Sequence, residues 1–509
     1  MPVAMETLDA VMAESRLGEA LDEVAGYVVR QRWSGAIGKT PRAVQILDAV
    51  RIRDIAVPTY FTVTRIEFDD GLTRAYALPL GHREAGDPLA ERAPDFVIGS
   101  LPGATPARFL YDALGDPDYV RWLWRSVHRE TTLLTPGASL RFTVLDSGSL
   151  DQELEPSLRV LGVEQSNTSF ILGDETFLKW LRRVEPGPSQ ELEMLEALER
   201  AGFTHLAPLH AAVLYEPRGA APTPLALIQP FLHNATEGWT LALTSLRVLY
   251  AAAEDLPATA TASERRAAVD EHGADFAGES ARLGAVVAEM HLALASARMG
   301  ESFAPSQLYA ADLRQWAGDM TAELDVLLAR PDSVLDPLRL KRDALAGCFA
   351  AVRELPASGL CIRVHGDLHL GQTLRTDSGW VILDFEGEPD RTPEQRRRRI
   401  SPLVDVAGML RSFDYAAAVA LSERVLPQSA DWEAMLDYGE AWAQISRDAF
   451  WNAYLEAVAG SGLLPDAKAT GVLRRAFELQ KALYETAYEL GHRPSWAAIP
   501  MRFLMRRVA

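Results

Sequence analysis

The sequence predicts an α+β protein in which a β-rich amino-terminal part gives way to a mainly helical carboxy-terminal part. Three observations carry this expectation. Short runs of alternating apolar and polar residues, bounded by turn residues, recur up to about Phe231. Farther on, apolar residues fall at helical spacing, as at Leu283, Val286, Val287, Met290 and Leu294. The chain has 509 residues, 48% of them apolar and 24% charged. That is enough for several packed units of roughly 100–200 residues each.

Taken in order, Leu8 to Arg30 has helical spacing, and β-like runs follow at Ala43–Val50 and Pro58–Glu67. Asp69-Asp70-Gly71 makes a hairpin turn before Thr73–Leu78. Residues 1–90 therefore read as a small mixed cap subdomain. Within it, Trp33 to Thr40 ends in Gly-Lys-Thr like a phosphate-binding loop. Trp33 stands where that loop needs its first glycine, however, and no apolar strand feeds it.

Residues 91–230 form a second block, with helical and strand fragments to about residue 150 and two β-like runs from Leu161 to Leu181, turning at Gly173-Asp174. The second run carries Lys179, with Phe177 and Leu181 on the same face at period two. Its ammonium thus reaches a partly apolar site, where it needs an anion. A helix from Gln190 to Arg200 follows, stopped by Gly202. Leu225–Phe231 reads as a strand leading into a hinge at Gln229. Residues 231–509 form the helical block, with a connector at Ala258–Ser263 and a long amphipathic helix at Ala281–Ala297.

Lys and Arg number 51 against 70 Asp and Glu, a net charge of −19, which repels the phosphate backbone of nucleic acids. A smaller anionic ligand, such as a nucleotide, has to be neutralised locally by a divalent metal and one or two placed cations. Cys348 and Cys361 form no CxxC pattern, so no disulfide framework or zinc cage is expected. The stretch from Met1 to Leu17 lacks a basic segment followed by an apolar one, and no apolar run approaches the roughly 18 residues of a membrane span. The expected location is cytoplasmic, without membrane contact.

The chemistry concentrates between Cys361 and Glu386, where two apolar runs flank a polar loop. A hairpin between these runs would bring Asp367, Gln372 and Asp384 to one mouth. Two carboxylates with an amide oxygen suit magnesium, and one carboxylate can instead accept a proton from an attacking hydroxyl. With Lys179, aimed by Glu193, they make a sufficient kit for phosphoryl transfer, which relies on position and charge neutralisation. His365 and His369 lack the further ligands that zinc needs.

His365-Gly366-Asp367-Leu368-His369 with Gln372, followed by Leu383-Asp384-Phe385-Glu386, resembles the aminoglycoside-phosphotransferase-like kinases, relatives of protein kinases. The match is closer to actinobacterial maltokinases through Gln165-Ser166-Asn167-Thr168-Ser169, Phe385-Glu386-Gly387-Glu388-Pro389 and Arg411-Ser412-Phe413-Asp414-Tyr415. The resemblance implies a bilobal protein-kinase-like fold with a β-containing N-lobe, a mainly helical C-lobe and the N-terminal cap. It further implies ATP-dependent conversion of maltose to maltose 1-phosphate, feeding glycogen and trehalose metabolism, and admits association with a trehalose synthase. Asp367 is then the catalytic base, and Gln372 and Asp384 hold Mg2+. Gln165, Ser166, Asn167, Thr168 and Ser169 cover the nucleotide phosphates, Lys179 contacts them, Glu193 fixes Lys179, and Gln229 lies at the nucleotide hinge.

For the sugar, the candidates are His365, Glu386 and Arg411 together with Lys481, Tyr484 and Tyr488, which share one helix face with Glu485. Alternatives stand beside them: His365 can orient the loop, Glu386 can aid the metal, Arg411 can brace the C-lobe, and the Lys481, Tyr484 and Tyr488 face can pack on a neighbouring helix. The Arg396–Arg399 run reads as a solvated loop face. A kinase for another sugar, glucosamine above all, is the nearest rival function. A catalytically silent partner of trehalose synthase is the rival from another class.

Overall fold

The computed structural model describes residues 7–507 apart from 147–149, 151–154, 162–166, 186, 188, 255–260, 297–300, 389–390 and 426–429. The chain divides into two compact units, Met1–Glu193 with Ala207–Leu232, and Met194–Leu206 with His233–Ala509.

The first unit holds two antiparallel sheets. One contains β1 (Pro41–Ile52), β2 (Thr59–Phe68), β3 (Thr73–Ala77), β4 (Leu80–Glu84), β5 (Val97–Leu101) and β6 (Arg108–Asp112). Their order is β1-β2-β4-β6-β5, with β3 also on β2. The β2–β3 turn forms because Asp70 Oδ1 accepts from Leu72 N at 3.0 Å while Gly71 takes a φ of 84°. The sheet runs past the expected boundary at residue 90, since Asp112 pairs with Leu80 across β6 and β4. Val24, Ala25, Tyr27 and Val28 of the helix Leu21–Arg30 cover one face. At the start of the stretch resembling a phosphate loop, Trp33 is a core residue, buried against Tyr27 and Tyr76, while Ile37 and Gly38 are exposed.

The other sheet contains β7 (Thr132–Leu134), β8 (Ala138–Val144), β9 (Leu158–Leu161), β10 (Asn167–Leu172), β11 (Thr176–Leu181), β12 (Ala211–Pro217) and β13 (Thr223–Pro230). Its order is β7-β8-β12-β13-β11-β10-β9. The helix Pro117–His128 starts where Asp116 caps Asp118 N and Pro117 takes the first position. Its Trp122, Leu123 and Trp124 enter the core shared with this sheet. The two sheets are joined by Ala77 N to Arg182 O and Val184 N to Ala75 O, both 2.9 Å. Next to this seam, Arg182 pairs with Asp112 at 2.6 Å, both fully buried.

His82 on β4 shows how this packing couples to pH. Burial, then the charges of Arg108 and Arg51, pull it from 6.5 to about 4. Burial also lowers His210. Between those values and 6.5 the unfolded chain binds protons that the folded unit refuses, so stability is full above pH 6.5 and falls as pH drops. His82 alone should withdraw roughly 2 kcal/mol by about pH 5. Denaturant midpoints should fall from neutral pH to that value, and His82→Phe should remove about one proton from the slope. An unchanged slope in the variant would refute the assignment.

The second unit is mainly helical, built on Gly238–Glu254, Ala262–His272, Ala274–Leu294, Ala310–Leu328, Leu403–Ser422, Ala430–Val458 and Ala467–His492. The amphipathic helix expected at Ala281–Ala297 starts earlier, at Ala274. It packs closely along Ala430–Val458, where a Cβ on Gly284 would come within 2.2 Å of Phe450 O. Of the expected connector, residues 258–260 lie outside the described residues, and Thr261 caps the next helix in a capping box with Glu264. The short strands are β14 (Thr236–Glu237), β15 (Ser306–Gln307), β16 (Leu360–Cys361), β17 (Thr373–Thr376) and β18 (Gly379–Ile382). The two apolar runs flanking the polar loop do not form the expected hairpin with each other: the first pairs as β16 with β15 and bridges at Ile362 to Ile400, and the second pairs as β18 with β17, which follows the loop. Burial, with Asp312 nearby, pushes the Cys361 thiol up to about 12, which keeps it protonated. No helix among the described residues is long and apolar enough to cross a membrane.

Candidate active site

The polar loop ahead of β17 is held from beneath by one carboxylate. Asp405, fully buried on the helix Leu403–Ser422, accepts from His365 N and Gly366 N at 2.8 Å each and from His291 Nε2 at 3.0 Å. Tyr454 OH lies 2.9 Å from His291 Nδ1, so this pattern assigns the imidazole proton to Nε2. Burial would raise the Asp405 carboxyl, but the hydrogen bonds it accepts from His291 and from the Gly366 amide hold it below its usual range. Gly366 turns the chain at a φ of 86°. A Cβ on Gly408 would stand 2.6 Å from Leu368 O, so the helix meets the loop backbone directly.

His365 is a correction to the sequence reading. It is fully buried, its Nε2 donating to Leu383 O at 2.8 Å and its Nδ1 accepting from Asp367 N at 3.4 Å. With both ring nitrogens committed to backbone, it positions Asp367 rather than touching a substrate.

Asp367 opens into a cavity of about 770 Å3. Lys481 lies in its wall, with Nζ 3.4 Å from Asp367 Oδ1, 2.7 Å from Glu388 Oε1 and 4.9 Å from the Tyr484 ring centre. Glu388 also binds Arg391 at 2.7 Å. Opposing groups come from the helix Ala310–Leu328, where Trp316, Asp319 and Glu323 share a face. Gln480 Nε2 donates to the two Glu323 oxygens at 3.0 and 2.9 Å, and burial pushes the Glu323 carboxyl up. The sequence reading missed these residues. Their i, i+3, i+7 spacing was visible, but nothing local linked that face to Asp367.

Of the expected sugar contacts, Lys481 and Tyr484 line this cavity and Tyr488 does not; it stacks on His492 with ring centres 4.2 Å apart. Arg411 is a second correction. Its fully buried guanidinium binds Glu485 at 2.8 Å and Asp414 at 2.7 Å and lies 4.1 Å from the Phe503 ring centre, so it braces the helices. Of the two glutamates past Asp384 that could accept sugar hydroxyls, Glu386 is outside the lining and Glu388, across the turn at Gly387, is part of it. Arg396, Arg398 and Arg399 line the cavity rather than forming only a solvated face.

In the first unit, Lys179 on β11 is buried and its Nζ lies 3.0 and 3.1 Å from the two oxygens of Glu191. This corrects the expected partner, Glu193. Gln165 and Ser166 lie outside the described residues. Asn167, Thr168 and Ser169 form the start of β10, and Ser169 is directly opposite Lys179. The Thr168 hydroxyl accepts from Arg182 Nε at 2.9 Å, while the buried Ser169 hydroxyl has no hydrogen-bond partner among the described residues. Gln229 Nε2 donates to Ala207 O at 2.7 Å, fixing the end of β13.

In the second unit, Gln372 Nε2 donates to Asp384 Oδ2 at 3.0 Å across the mouth of the hairpin. With that nitrogen committed, the atoms these two side chains offer a cation are oxygens, which fits magnesium.

A family model described as the maltokinase N-terminal cap domain matches residues 27–116. A glucosamine kinase from Streptacidiphilus jiangxiensis is 30% identical over 345 residues, 66% of this chain and 70% of that protein. A glucosamine kinase from Mycolicibacterium smegmatis is 28% identical over 349 residues, 67% of this chain and 77% of that protein. A solved structure of glucosamine kinase in complex with glucosamine, ADP and inorganic phosphate shares the fold, with a TM-score of 0.62 at 23% identity over 95% of this chain and 99% of that one. The β-sheet lobe, helical region and cap of this chain, together with these relatives, show that it belongs to the maltokinase-like sugar kinases.

Proposed function

We propose that this sugar kinase transfers the γ-phosphoryl group of ATP to the anomeric hydroxyl of maltose, giving maltose 1-phosphate and ADP. The observation that carries this reading is the cavity at Asp367, about 770 Å3, with Trp316, Phe477 and Tyr484 in its walls. Aromatic faces with hydrogen-bonding groups between them suit a disaccharide, and the volume lies in the range of small-molecule sites.

In this reading Asp367 accepts the proton of the anomeric hydroxyl as its oxygen bonds to the γ-phosphorus, and the bond to the ADP oxygen breaks. His365 and Asp405 hold the Asp367 loop in register for that step. Lys179, steadied by Glu191, neutralises phosphate charge, and Asn167 to Ser169 with Gln165, Ser166 and Gln229 complete the nucleotide contacts. Gln372 and Asp384 would hold magnesium, which when bound screens the phosphate oxygens from the attacking hydroxyl. A cytoplasmic enzyme acting beside a trehalose synthase fits this chemistry.

The second reading is glucosamine as acceptor, favoured by the names of the relatives. ADP release measured with maltose, glucose, glucosamine and an aminoglycoside separates the two. Maltose is expected to give the highest kcat/KM. Faster turnover of glucosamine would replace this reading, and no sugar-dependent ADP release would revive the catalytically silent partner.

A further inference from the structure

A kinase that accepts an amino sugar must place its ammonium beside anions, because a charge taken out of water needs a partner. In this cavity that place already holds a cation. Lys481 Nζ lies between Asp367 and Glu388, within hydrogen-bond distance of both, and its stem passes the Tyr484 face. Burial alone would pull its pKa down, but Glu388 and Asp367 outweigh that and push it well up, so the group stays charged.

The rest of the lining gives an incoming ammonium no better place. Six arginines and lysines line the cavity against four carboxylates. Glu388 is shared between Lys481 and Arg391. Glu323 accepts both hydrogen bonds of Gln480, and its burial favours the neutral acid. Asp319 is exposed, where water screens it.

We propose that Lys481 is the specificity-determining residue of the acceptor site, an internal ammonium that occupies the Asp367 and Glu388 carboxylates and thereby selects neutral sugars over amino sugars. The inference rests on the reading of this cavity as the acceptor site, but not on maltose as the particular sugar. A neutral sugar leaves the ion pairs in place and takes hydrogen bonds from the same ammonium. An amino sugar brings a second positive charge to carboxylates already paired.

The test compares glucose with glucosamine, which differ only in a hydroxyl against an ammonium, and adds uncharged N-acetylglucosamine. Binding is read by calorimetry and turnover by ADP release, on the full chain and its Lys481→Met, Lys481→Arg and Glu388→Gln variants. The wild type is expected to favour glucose by at least about tenfold, and Lys481→Met to move the glucosamine-to-glucose ratio about a hundredfold toward the amine. Lys481→Arg, which keeps the charge, should keep the preference. Glu388→Gln, which removes an anion and leaves the ammonium, should sharpen it. The N-acetylglucosamine-to-glucose ratio should not follow the glucosamine ratio.

A ratio unchanged in Lys481→Met, or relaxed equally in Lys481→Arg, overturns the proposal, as does better glucosamine binding in Glu388→Gln. So does failure of every form to bind any of these sugars. Failure of the maltose reading shows separately, as absent maltose turnover in a wild type whose glucose and glucosamine affinities still differ as stated.

Discussion

Replacing Asp367 with asparagine is expected to lower kcat about a thousandfold while leaving ATP binding intact. Asparagine fills the same space and can still hydrogen-bond the sugar hydroxyl, but it cannot take the proton. The loop should survive, because its register comes from Asp405 and His365 rather than from the Asp367 carboxylate. Lys481 should stay in place as well, through its 2.7 Å bond to Glu388. Steady-state turnover with the preferred sugar, together with calorimetric titration of ATP, separates the two effects. A variant that keeps more than about a tenth of wild-type kcat would show that Asp367 is not the base, since general-base catalysis is worth at least about a hundredfold.

Replacing Asp405 with asparagine is expected to destabilise the second unit by about 3–5 kcal/mol. The carboxylate takes three donors on two oxygens: Oδ1 from Gly366 N, and Oδ2 from His365 N and His291 Nε2. An amide offers one acceptor atom and turns an NH2 group toward a donor. Each hydrogen bond to a buried charge is worth about 1.5–3 kcal/mol, so the loss exceeds that of an ordinary surface change. The sign with pH follows from the lowered Asp405 pKa. Its contribution is fully present above the unfolded carboxylate value and is lost as pH falls through the lower folded one. The variant should therefore unfold at lower denaturant near neutral pH, and the gap to wild type should close in strong acid. A midpoint matching wild type at neutral pH would sink the assignment. Turnover should fall too, because the displaced backbone is two residues from Asp367.

The parts of the site legible in the sequence are those set by neighbouring residues. Asp367, Gln372 and Asp384 stood out because a polar loop separates two apolar runs, although those runs do not pair with each other: the second pairs as β18 with β17 and the first with β15. Lys179 stood out as a charge embedded in an apolar strand. Helix phase was harder: Glu191 and Glu193 are equally plausible from composition, and only the tertiary placement of that helix selects the first. Residues brought together across long separations were out of reach. Asp405 meets His291, 114 positions away, and Gln480 meets Glu323, 157 away. Arg411 was misread because a buried cation paired inside the fold and one held for a ligand look the same in a sequence. The cap was placed too short because β5 and β6 are brief strands whose membership in the first sheet depends on pairing rather than on pattern.

Asp384 has a left-handed backbone, with a φ of 58°. Side chains resist that conformation by roughly 1–2 kcal/mol, and aspartate and asparagine tolerate it because their short polar groups bond locally. This governs how experiments at the position should be interpreted. An alanine there would combine loss of a ligand oxygen with a strained main chain, confounding the two. Glycine relieves the strain but removes the side chain altogether. Asparagine alone preserves the chain's path while altering the charge, so it is the substitution from which the electrostatic role of this carboxylate can be isolated.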